Sequence, residues 1–552
     1  MSNSEIFLKL YAQFVQDCHV EPDKKMFNKH LQDMGVEDTN WKAYFSDMDN
    51  LRACAYKAYP AMSNDVLGES EFTSSEYFAK VEEAIRTHKS FLITTAVSFK
   101  NISQRAFNSF RTYCKKNNAQ MFVLPSIDTN STKQHLKIFL DYELKKEALV
   151  IGRDFSLTKD LIISGVVQPA NRVDCLGGLD KMIAQVNGSV IVQGTKQQMK
   201  HIPVMKGKPD RLIISTGSVS VSDYSTDHAM SRRKAHQANL GHRFGAVLVD
   251  IREDGTYDLR QVRVSVDGSF TDWGTVYKPD GTTETVDEAT MVFGDSHAGA
   301  HDESLFQTLL NIVSEDKFIK KIVLHDLCNA SAVCHHEDND FVQKTIRVED
   351  GTAKIQQNID EVNKYLNRLT EVSDAEIVVV NSNHDNHITK YVKEMRAVKN
   401  REFNNLRASA ELFLMLIDDP NTNALEALCT ANKSIPLNNK ERITWLKPDE
   451  SYTYKGIELG CHGHKGSNGG KGGVKATKVA CGNAVIGHSH AGSIDGDCIQ
   501  VGTTSRKDMG YNQGFSSWSN DCALCYSDGT KQLVSFQFDG EKYICGRKRE
   551  TN

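Results

Sequence analysis

Five short polar segments between residues 294 and 492 constrain this chain most strongly, because each lies next to an apolar stretch typical of a β-strand. In chain order they read GDSHAG, HD, SNHD, CHGH and GHSHAG. Parallel strands that end in aspartate, asparagine or histidine bring those side chains to one edge of a sheet. One such segment alone is weak evidence. Five in succession, within an alternating pattern of strands and helices, predict a shared site.

The residue types in these segments are typical of metal ligands. Asp295 and His297 are two residues apart and can contact one ion, whereas the two oxygens of Asp326 can bridge two ions. Nitrogen and oxygen donors together suit Mn, Fe, Zn or Co better than Ca or Mg. The candidate ligands are Asp295, His297, Asp326, Asn383, His462, His488 and His490, with His464 as an alternative to His462.

The order of the segments resembles the motif pattern of the calcineurin-like metallophosphoesterases, which runs D-x-H, G-D, G-N-H-D/E, H and G-H-x-H. The resemblance covers roughly residues 290–505, and it is imperfect because His325 and Ser382 replace two of the glycines. It implies two divalent cations with separate ligand sets. The first set is Asp295, His297, Asp326 and His490, and the second is Asp326, Asn383, His462 and His488.

The same resemblance implies a mechanism. Two cations about 3.5–4 Å apart would clamp the phosphate oxygens and acidify a bridging water, whose hydroxide attacks phosphorus in line. His384 would protonate the leaving oxygen or stabilise the transition state. Asp385 would orient His384 through the second ring nitrogen of the imidazole. This chemistry leaves the substrate open, because phosphodiesters and phosphomonoesters can both react in this way.

A second resemblance covers most of the chain. The segment FLITTAVSFKNISQRAFNSFRTYCKKNNAQMFVLP, together with VFGDSHAG and VGTTSRKDMGYNQGFSSWS, resembles the pre-early proteins of certain tailed phages. This resemblance implies a Mn²⁺-dependent DNase with a core like that of double-strand-break repair nucleases, with Mg²⁺, Fe²⁺ or Zn²⁺ as alternative cations. It also implies degradation of host DNA in the infected bacterial cytoplasm and a second phage protein as a partner in DNA transfer.

The expected fold class is α/β (α+β), arranged in three regions. Helical spacing of apolar residues predicts a small helical region at 1–87, and a strand–helix–strand pattern predicts an α/β domain at 88–285. The α/β domain is expected to bind DNA or to form homo-oligomers. Residues 286–552 are expected to form the metallophosphoesterase domain, a β-sandwich flanked by helices. No internal repeat is detectable in the sequence.

The net charge of −5 excludes a polycationic nucleic-acid binder, so DNA contacts must come from local basic patches or from metals. Lys465 and Lys471 flank a glycine-rich loop, and Arg232 and Arg233 begin a basic cluster that extends to Arg243. Both patches are candidate phosphate contacts, with a solvated loop and an ordinary exposed helix as the alternatives. The aromatic residues that could stack on bases or pack in the core are Tyr511, Phe515 and Trp518.

The 13 cysteines show no repeated CxxC pattern, and no signal peptide or run of about 18 apolar residues is recognisable. These features predict a cytoplasmic protein with free thiols. Cys522 and Cys525 are spaced like a metal or redox pair. In the absence of a second pair, buried strand cysteines are the favoured interpretation.

The sequence leaves three classes of function open. The favoured class is a two-metal DNase, whose endo or exo mode and strand preference stay undecided. The first alternative is a metallophosphatase or cyclic-nucleotide phosphodiesterase acting on small or protein substrates, which a deep and narrow pocket would favour. The second is a non-enzymatic scaffold or regulatory protein in phage DNA transfer, and the complete ligand set argues against it.

Overall fold

The computed structural model of this chain describes most of its length, and the fold is of the predicted α/β class. The described residues are 3–18, 22–36, 40–58, 72, 74–98, 100–127, 140–186, 188–222, 224, 229–334, 340–510 and 512–546. In these ranges, no helix combines the length and the apolar character needed to cross a bilayer.

The N-terminal region is helical where it is described. Its helices are α1 (Asn3–Cys18), α2 (Lys24–Asp33), α3 (Met48–Ala58) and α4 (Ser75–Thr87). Asp23 caps α2 by accepting a hydrogen bond from the backbone N–H of Met26 at 2.8 Å, which satisfies a donor that the helix start leaves free. Helices α1 to α3, together with Trp41 from the segment between α2 and α3, bury a core of their own that includes Tyr11 and Phe27. Helix α4 instead packs on the sheets that follow.

The first half of the α/β body extends from residue 90 to residue 263. Its strands are β1 (Ser90–Val97), β2 (Ala119–Ser126), β3 (Ala148–Val150), β4 (Phe155–Thr158), β5 (Leu161–Ile163), β6 (Ser189–Val192), β7 (Gln198–Ile202), β8 (Arg211–Ser215), β9 (Gly245–Ile251) and β10 (Tyr257–Arg263). Its helices are α5 (Gln104–Asn117), α6 (Tyr142–Glu147), α7 (Asp180–Gln185) and α8 (Ala229–Gly241). The small strands β11 (Phe270–Asp272), β12 (Thr275–Tyr277) and β13 (Thr283–Thr285) lead out of it.

The second half begins at residue 289. Its strands are β14 (Ala289–Val292), β15 (Ile319–Leu324), β16 (Glu376–Val379), β17 (Ile443–Trp445), β18 (Thr453–Tyr454), β19 (Ile457–Glu458), β20 (Ala484–Ile486), β21 (Ser493–Asp495), β22 (Cys498–Gln500), β23 (Asp521–Tyr526), β24 (Lys531–Ser535), β25 (Gln537–Phe538) and β26 (Tyr543–Ile544). Its helices are α9 (Glu303–Glu315), α10 (Phe341–Glu349), α11 (Ile355–Val372), α12 (Asn383–Lys393), α13 (Arg396–Lys399), α14 (Leu406–Asp418), α15 (Ala424–Ala431) and α16 (Val474–Cys481).

One long sheet joins the two halves. Its strand order is β18-β19-β20-β22-β21-β7-β8-β6-β5-β4, counted over the described residues. At its centre β7 and β21 pair antiparallel, with Met199 opposite Ile494. The boundary expected near residue 285 therefore separates two parts of the chain whose strands belong to the same sheet.

Two further sheets cover this long sheet. The first half contributes β10-β9-β1-β2-β3, and the second contributes β17-β16-β15-β14-β23-β24. Side chains from all three sheets form one buried cluster, in which Ile93, Ile191, Val323 and Val485 are fully buried. The sheets thus pack face to face as a sandwich, and helices such as α9 and α11 cover the outer face of the second half.

Candidate metal centre

The five polar segments lie at the ends of strands in the second half. Strands β14, β15 and β16 are parallel, so their carboxyl ends lie along one edge of the sheet. Asp295 follows β14, Asp326 follows β15, and Asn383 is the first residue of α12 after β16. The long sheet supplies the remaining segments, with His462 after β19 and His490 after β20. The topology thus explains why residues almost 200 positions apart meet.

The first group of candidate ligands is compact and buried. Asp295, His297, Asp326 and His490 each offer a ligand atom, and these atoms all lie within 4.8 Å of one another. The Nε2 atom of His490 is 3.0 Å from His297 Nε2 and 3.0 Å from Asp295 Oδ2. This group could hold one cation, and it has the membership that the sequence predicts for the first ion.

The second group shares Asp326 with the first. Asp326, His462 and His488 have ligand atoms within 4.8 Å of one another, with His462 Nε2 3.1 Å from Asp326 Oδ2. The amide oxygen of Asn383 lies 2.8 Å from His462 Nε2 and 3.1 Å from His488 Nδ1. Because a carboxylate has two oxygens, the shared Asp326 could bridge two adjacent cations. His464 lies outside this group, its ring centroid 5.3 Å from that of His462.

The backbone at this site adopts conformations that most residues avoid. His297, Asp326, His488 and His490 have φ angles of 45°, 40°, 81° and 58°, in the left-handed region. Side chains other than glycine are uncommon there, and such strain persists where the surrounding structure enforces it, often at functional sites. Gly487 is required for a different reason, since a Cβ atom at that position would collide with the carboxylate of Asp295.

Several polar atoms at the site are buried without a hydrogen-bond partner. In the described part of the chain they include His297 Nδ1, His490 Nδ1, His325 Nε2 and both ring nitrogens of His464. Buried polar groups are nearly always paired, so a cluster of exceptions requires an explanation. Together with the mixed carboxylate, amide and imidazole donors, these atoms make the site chemically suited to cations of the Mn, Fe, Zn or Co type.

The electrostatics of the site depend on pairing between acids and imidazoles. Burial opposes ionisation of Asp295, but His462 and His490 outweigh it and lower the pKa of this carboxyl to about 2. Burial likewise opposes the charge on His462, and the carboxylates of Asp326 and Asp295 overcome it and raise the pKa to about 9. In the metal-free protein His462 is therefore protonated at neutral pH. A cation bound there has to displace that proton.

His384 lies at the edge of the site, with 17% of its side chain exposed. Its Nδ1 atom is 2.8 Å from the carbonyl oxygen of Asn329, to which it donates, and its Nε2 atom is 4.0 Å from Asp326 Oδ2. The sequence assigned the orienting role to Asp385, and the structure corrects this contact. Asp385 instead accepts a hydrogen bond from Ser382 N–H at 3.0 Å, because it occupies the third position of α12 and caps that helix.

The carbonyl of Asn329 is thus a functional group that sequence reasoning missed, since a backbone contact leaves no side-chain signature. Asp385 is fully buried, and burial followed by the charge of Asp326 raises its pKa to about 7. Of the two positions that depart from the family pattern, His325 lies with Nδ1 3.5 Å from His462 Nδ1. Burial, followed by the charge of His462, lowers the pKa of His325 to about 3, so this ring is neutral.

The candidate substrate contacts lie away from the ligand groups. Lys465 is partly exposed and pairs with Asp449 at 2.8 Å, and Lys471 is exposed on the other side of the glycine-rich loop. Arg232 and Arg233 are exposed on α8 in the first half. Their role in substrate binding stays a prediction.

The basic cluster predicted from Arg232 to Arg243 is not continuous at the surface. His242 is buried, with Nε2 donating to the Ser220 carbonyl at 2.8 Å and Nδ1 2.8 Å from Tyr224 Oη. Arg243 forms an ion pair with Asp497 at 2.7 Å. Both residues therefore have structural roles.

The predicted aromatic residues have different environments. Trp518 contacts the ring of His490, with centroids 4.2 Å apart, and Phe515 is 73% exposed. The prediction for Tyr511 lies outside the described residues. Cys522 and Cys525 are buried free thiols in β23, as the favoured interpretation expected.

Comparisons with known proteins give one relative. Protein A1 of Escherichia phage T5 is 26% identical to this chain over an alignment 400 residues long, which covers 69% of this chain and 66% of protein A1. The chain therefore spans slightly less than two thirds of the length of the curated relative it matches. No protein-family model and no solved structure matches the chain. The resemblance to a phage protein is supported, and membership of the metallophosphoesterase superfamily stays a prediction.

Proposed function

We propose that this protein is a two-metal phosphodiesterase that cleaves DNA, and that it degrades host DNA in the cytoplasm of an infected bacterium. The observation that carries the proposal is the pair of ligand groups that share the buried Asp326. Two adjacent cations are the arrangement that supports in-line displacement at phosphorus. The similarity to a protein of Escherichia phage T5 supports a role in phage infection, and the choice of DNA as the substrate rests on the sequence resemblance. A homo-oligomer and a second phage protein as partner stay predictions.

The ligand groups, Asp326 and Asn383 would have different roles in such a reaction. Cations bound by the two groups would supply positive charge to the phosphate oxygens and acidify a water molecule. Asp326 fixes the spacing of the groups because it belongs to both. Asn383 adds a neutral oxygen, which keeps the net charge of the site favourable for an anionic substrate.

His384 has the geometry of a proton donor to the departing oxygen. Its Nδ1–H is held by the Asn329 carbonyl, which orients the ring and leaves Nε2 to face the site. Donation from Nε2 requires the imidazolium form, which returns to the neutral ring as the proton passes to the departing oxygen. Its side chain is partly exposed, so a substrate can reach it. A positioned acid of this kind contributes about 10²- to 10⁴-fold to a rate.

A nuclease assay on the purified chain tests this proposal. Linear and circular double-stranded DNA are incubated with Mn²⁺, Mg²⁺, Zn²⁺ or EDTA. We expect Mn²⁺-dependent cleavage that is lost in Asp326→Asn and retained in the control Asp280→Asn, which alters an exposed carboxylate. Intact DNA with rapid hydrolysis of bis(p-nitrophenyl) phosphate would favour a phosphodiesterase for small substrates. Hydrolysis of neither substrate would contradict the proposal.

The role of His384 is tested separately by His384→Gln. We expect kcat to fall by about 10²-fold or more while the bound manganese stays at the wild-type level, because the side chain acts on the leaving group and holds no ion. The matched control is His88→Gln at the end of α4. A loss of manganese in His384→Gln would show that this histidine is a ligand, and a wild-type kcat would remove it from the mechanism.

A further inference from the structure

The two halves of the α/β body repeat one topology. In chain order, β1 to β10 correspond to β14, β15, β16 and β18 to β24. Among the described strands of the three large sheets, β17 alone lacks a counterpart, and the small strands β11 to β13, β25 and β26 lie outside these sheets. Each of the eight pairings within a half has the same direction as its counterpart; for example, β1 is parallel to β2 and antiparallel to β9, as β14 is to β15 and β23. A helix, α5 or α9, follows the first strand in both. The repeat that the sequence does not display is therefore present in the fold.

The correspondence extends to single hydrogen bonds beside the metal centre. Asp295 N–H donates to the carbonyl of Gly502 at 3.1 Å, two residues after β22. In the first half, Thr95 N–H donates to the carbonyl of Gly217 at 3.1 Å, two residues after β8. The carbonyl oxygens of both residues then accept from matching positions. The bonds are Val219 N–H to Thr95 O and Thr504 N–H to Asp295 O, both 2.9 Å.

A second ligand position is matched in the same way. Ser519 N–H, two residues before β23, donates to the carbonyl of His490 at 2.9 Å. Arg243 N–H, two residues before β9, donates to the carbonyl of Thr195 at 2.9 Å. The residues that occupy the places of Asp295 and His490 in the first half are therefore Thr95 and Thr195.

The hydroxyl groups of these two threonines are poorly suited to binding a cation. Thr95 Oγ1 accepts from Gly194 N–H at 3.0 Å and lies 2.7 Å from Thr216 Oγ1. Thr195 Oγ1 donates to the carbonyl of Ala170 at 2.7 Å. Neutral hydroxyls that are already paired are poor ligands for a divalent cation, in contrast to the unpaired imidazole nitrogens of the second half.

The space above this centre is also filled. Val97, two residues after Thr95 as His297 is after Asp295, is 1% exposed. It packs with Tyr224 and with Ala235 and Ala238 of α8. Helix α8 lies between β8 and β9, and the described residues between the corresponding strands β22 and β23 contain no helix. His297 is equally buried, so the two positions differ in their surroundings: apolar side chains of α8 pack on Val97, whereas His297 lies among candidate ligands.

The first half nevertheless contacts the metal-binding loop of the second. Strand β21, which pairs with β7, begins at Ser493, three residues after His490. Next to it, His201 of β7 places Nε2 3.2 Å from Asp521 Oδ2, with 4% and 0% of the two side chains exposed. Asp521 accepts a hydrogen bond from the hydroxyl of Ser519. Ser519 in turn accepts from Gly492 N–H at 2.8 Å and donates its own N–H to His490.

We propose that residues 90–263 are a second, metal-free copy of the fold that carries the metal centre. This copy acts as an internal partner that positions the His488–Gly492 loop through the β7–β21 pairing and the His201–Asp521 contact. His201 is thus a positioning residue, because it reaches the ligand His490 only through Asp521 and Ser519. The inference rests on the proposed metal centre and is independent of whether DNA is the substrate.

Mn²⁺ binding to the full chain, measured by calorimetric titration, tests both parts. For the metal-free copy, the double variant Thr95→Val and Thr195→Val is expected to bind the same number of Mn²⁺ ions as the wild type. A reduced number would overturn the inference, since it would place a cation in the first half. For the positioning role, His201→Leu and His201→Gln are expected to weaken Mn²⁺ binding about tenfold or more, the effect usual for groups that orient metal ligands.

The matched control is Arg243→Gln. It breaks the Arg243–Asp497 ion pair, another contact between the halves, and leaves the Asp521–Ser519–His490 chain intact. We expect Arg243→Gln to lower the thermal midpoint without changing Mn²⁺ affinity. If His201→Leu does not fold, His201→Gln decides the point, because it keeps a polar side chain in the buried position but removes the imidazole that pairs with the Asp521 carboxylate. Wild-type Mn²⁺ affinity in His201→Gln or His201→Leu, when folded, would overturn the positioning role, whereas wild-type protein that binds no Mn²⁺ would instead contradict the proposed function.

Discussion

The centre around Thr95 and the centre around Asp295 have the same backbone hydrogen bonds and different side-chain chemistry. In the first half, the hydroxyls of Thr95 and Thr195 are paired and α8 covers them. In the second half, carboxylates and imidazoles converge, and the ring nitrogens His297 Nδ1 and His490 Nδ1 have no partner. The comparison teaches that the strand order supplies the positions, and that the residues placed there decide whether a site exists.

The largest expected effect comes from changing the corresponding residue in each half. Asp295→Asn removes a charged ligand from the first group and is expected to weaken Mn²⁺ binding by more than about a hundredfold, beyond the loss usual for residues that only support ligands. Thr95→Val is isosteric, removes only neutral hydrogen bonds, and is expected to leave Mn²⁺ affinity unchanged. Calorimetric titration with Mn²⁺ measures both variants. Equal losses in the two variants would contradict the division of roles between the halves.

A smaller effect on Mn²⁺ affinity is expected when a side chain is added close to the ligands. In Gly487→Ala the new methyl group would collide with the Asp295 carboxylate and press on His325. We expect the displaced carboxylate to weaken Mn²⁺ binding about tenfold, since ligand orientation controls affinity. Gly470→Ala, in the exposed glycine-rich loop, is the control. Wild-type Mn²⁺ affinity in Gly487→Ala would show that Asp295 can move without loss.

A separate effect, on stability and not on metal binding, concerns the acid sensitivity of the first half. Burial lowers the pKa of His242 to about 4, with the charges of Arg243 and Lys196 adding to this effect and the hydrogen bond to the Ser220 carbonyl opposing it. An unfolded histidine titrates near 6.5. As the pH falls from 6.5 to 4, His242 binds a proton in the unfolded chain but not in the folded chain. The free energy of unfolding therefore decreases by on the order of 2–3 kcal/mol.

Chemical denaturation at several pH values measures this dependence. His242→Gln is expected to be less stable than the wild type at pH 7 and to lose less further stability between pH 6.5 and 4. The comparison is made with EDTA present, so that the protein is metal-free. In that state the contribution of His462 to stability depends on pH in the opposite direction from that of His242. The pKa of His462 is raised to about 9, so its contribution is present below about 6.5 and disappears as the pH rises through 9. If the free energy of unfolding of His242→Gln fell with pH as steeply as that of the wild type, the acid sensitivity could not be assigned to His242.

Local sequence signals predicted the framework of the second half well. The spacing of apolar residues over 305–313 predicts a helix, and the structure has α9 (Glu303–Glu315), whose start is fixed by the side chain of Asp302 accepting from Leu305 N–H. The short apolar run over 321–324 predicts a strand, and the structure has β15 (Ile319–Leu324). Amphipathic spacing and capping residues are local features, and a single sequence displays them directly.

Features that depend on distant parts of the chain could not be predicted in this way. The membership of the ligand groups was anticipated because the motifs are conspicuous, and the geometry agrees with it. The support for His384 was assigned to its neighbour Asp385, whereas the structure gives it to Asn329, 55 positions away. The duplication escaped notice because Thr95 and Asp295 share backbone geometry without sharing side-chain chemistry. The His201–Asp521 contact joins residues that no local pattern connects.

The most direct test of the central claim is the electron paramagnetic resonance spectrum of the full chain loaded with Mn²⁺. The account predicts two ions per chain with the spectrum of a spin-coupled pair, because Asp326 belongs to both ligand groups of the second half. It also predicts that Asp326→Asn abolishes the coupling. Isolated Mn²⁺ signals, or a count of ions that requires a further site in the first half, would contradict the account.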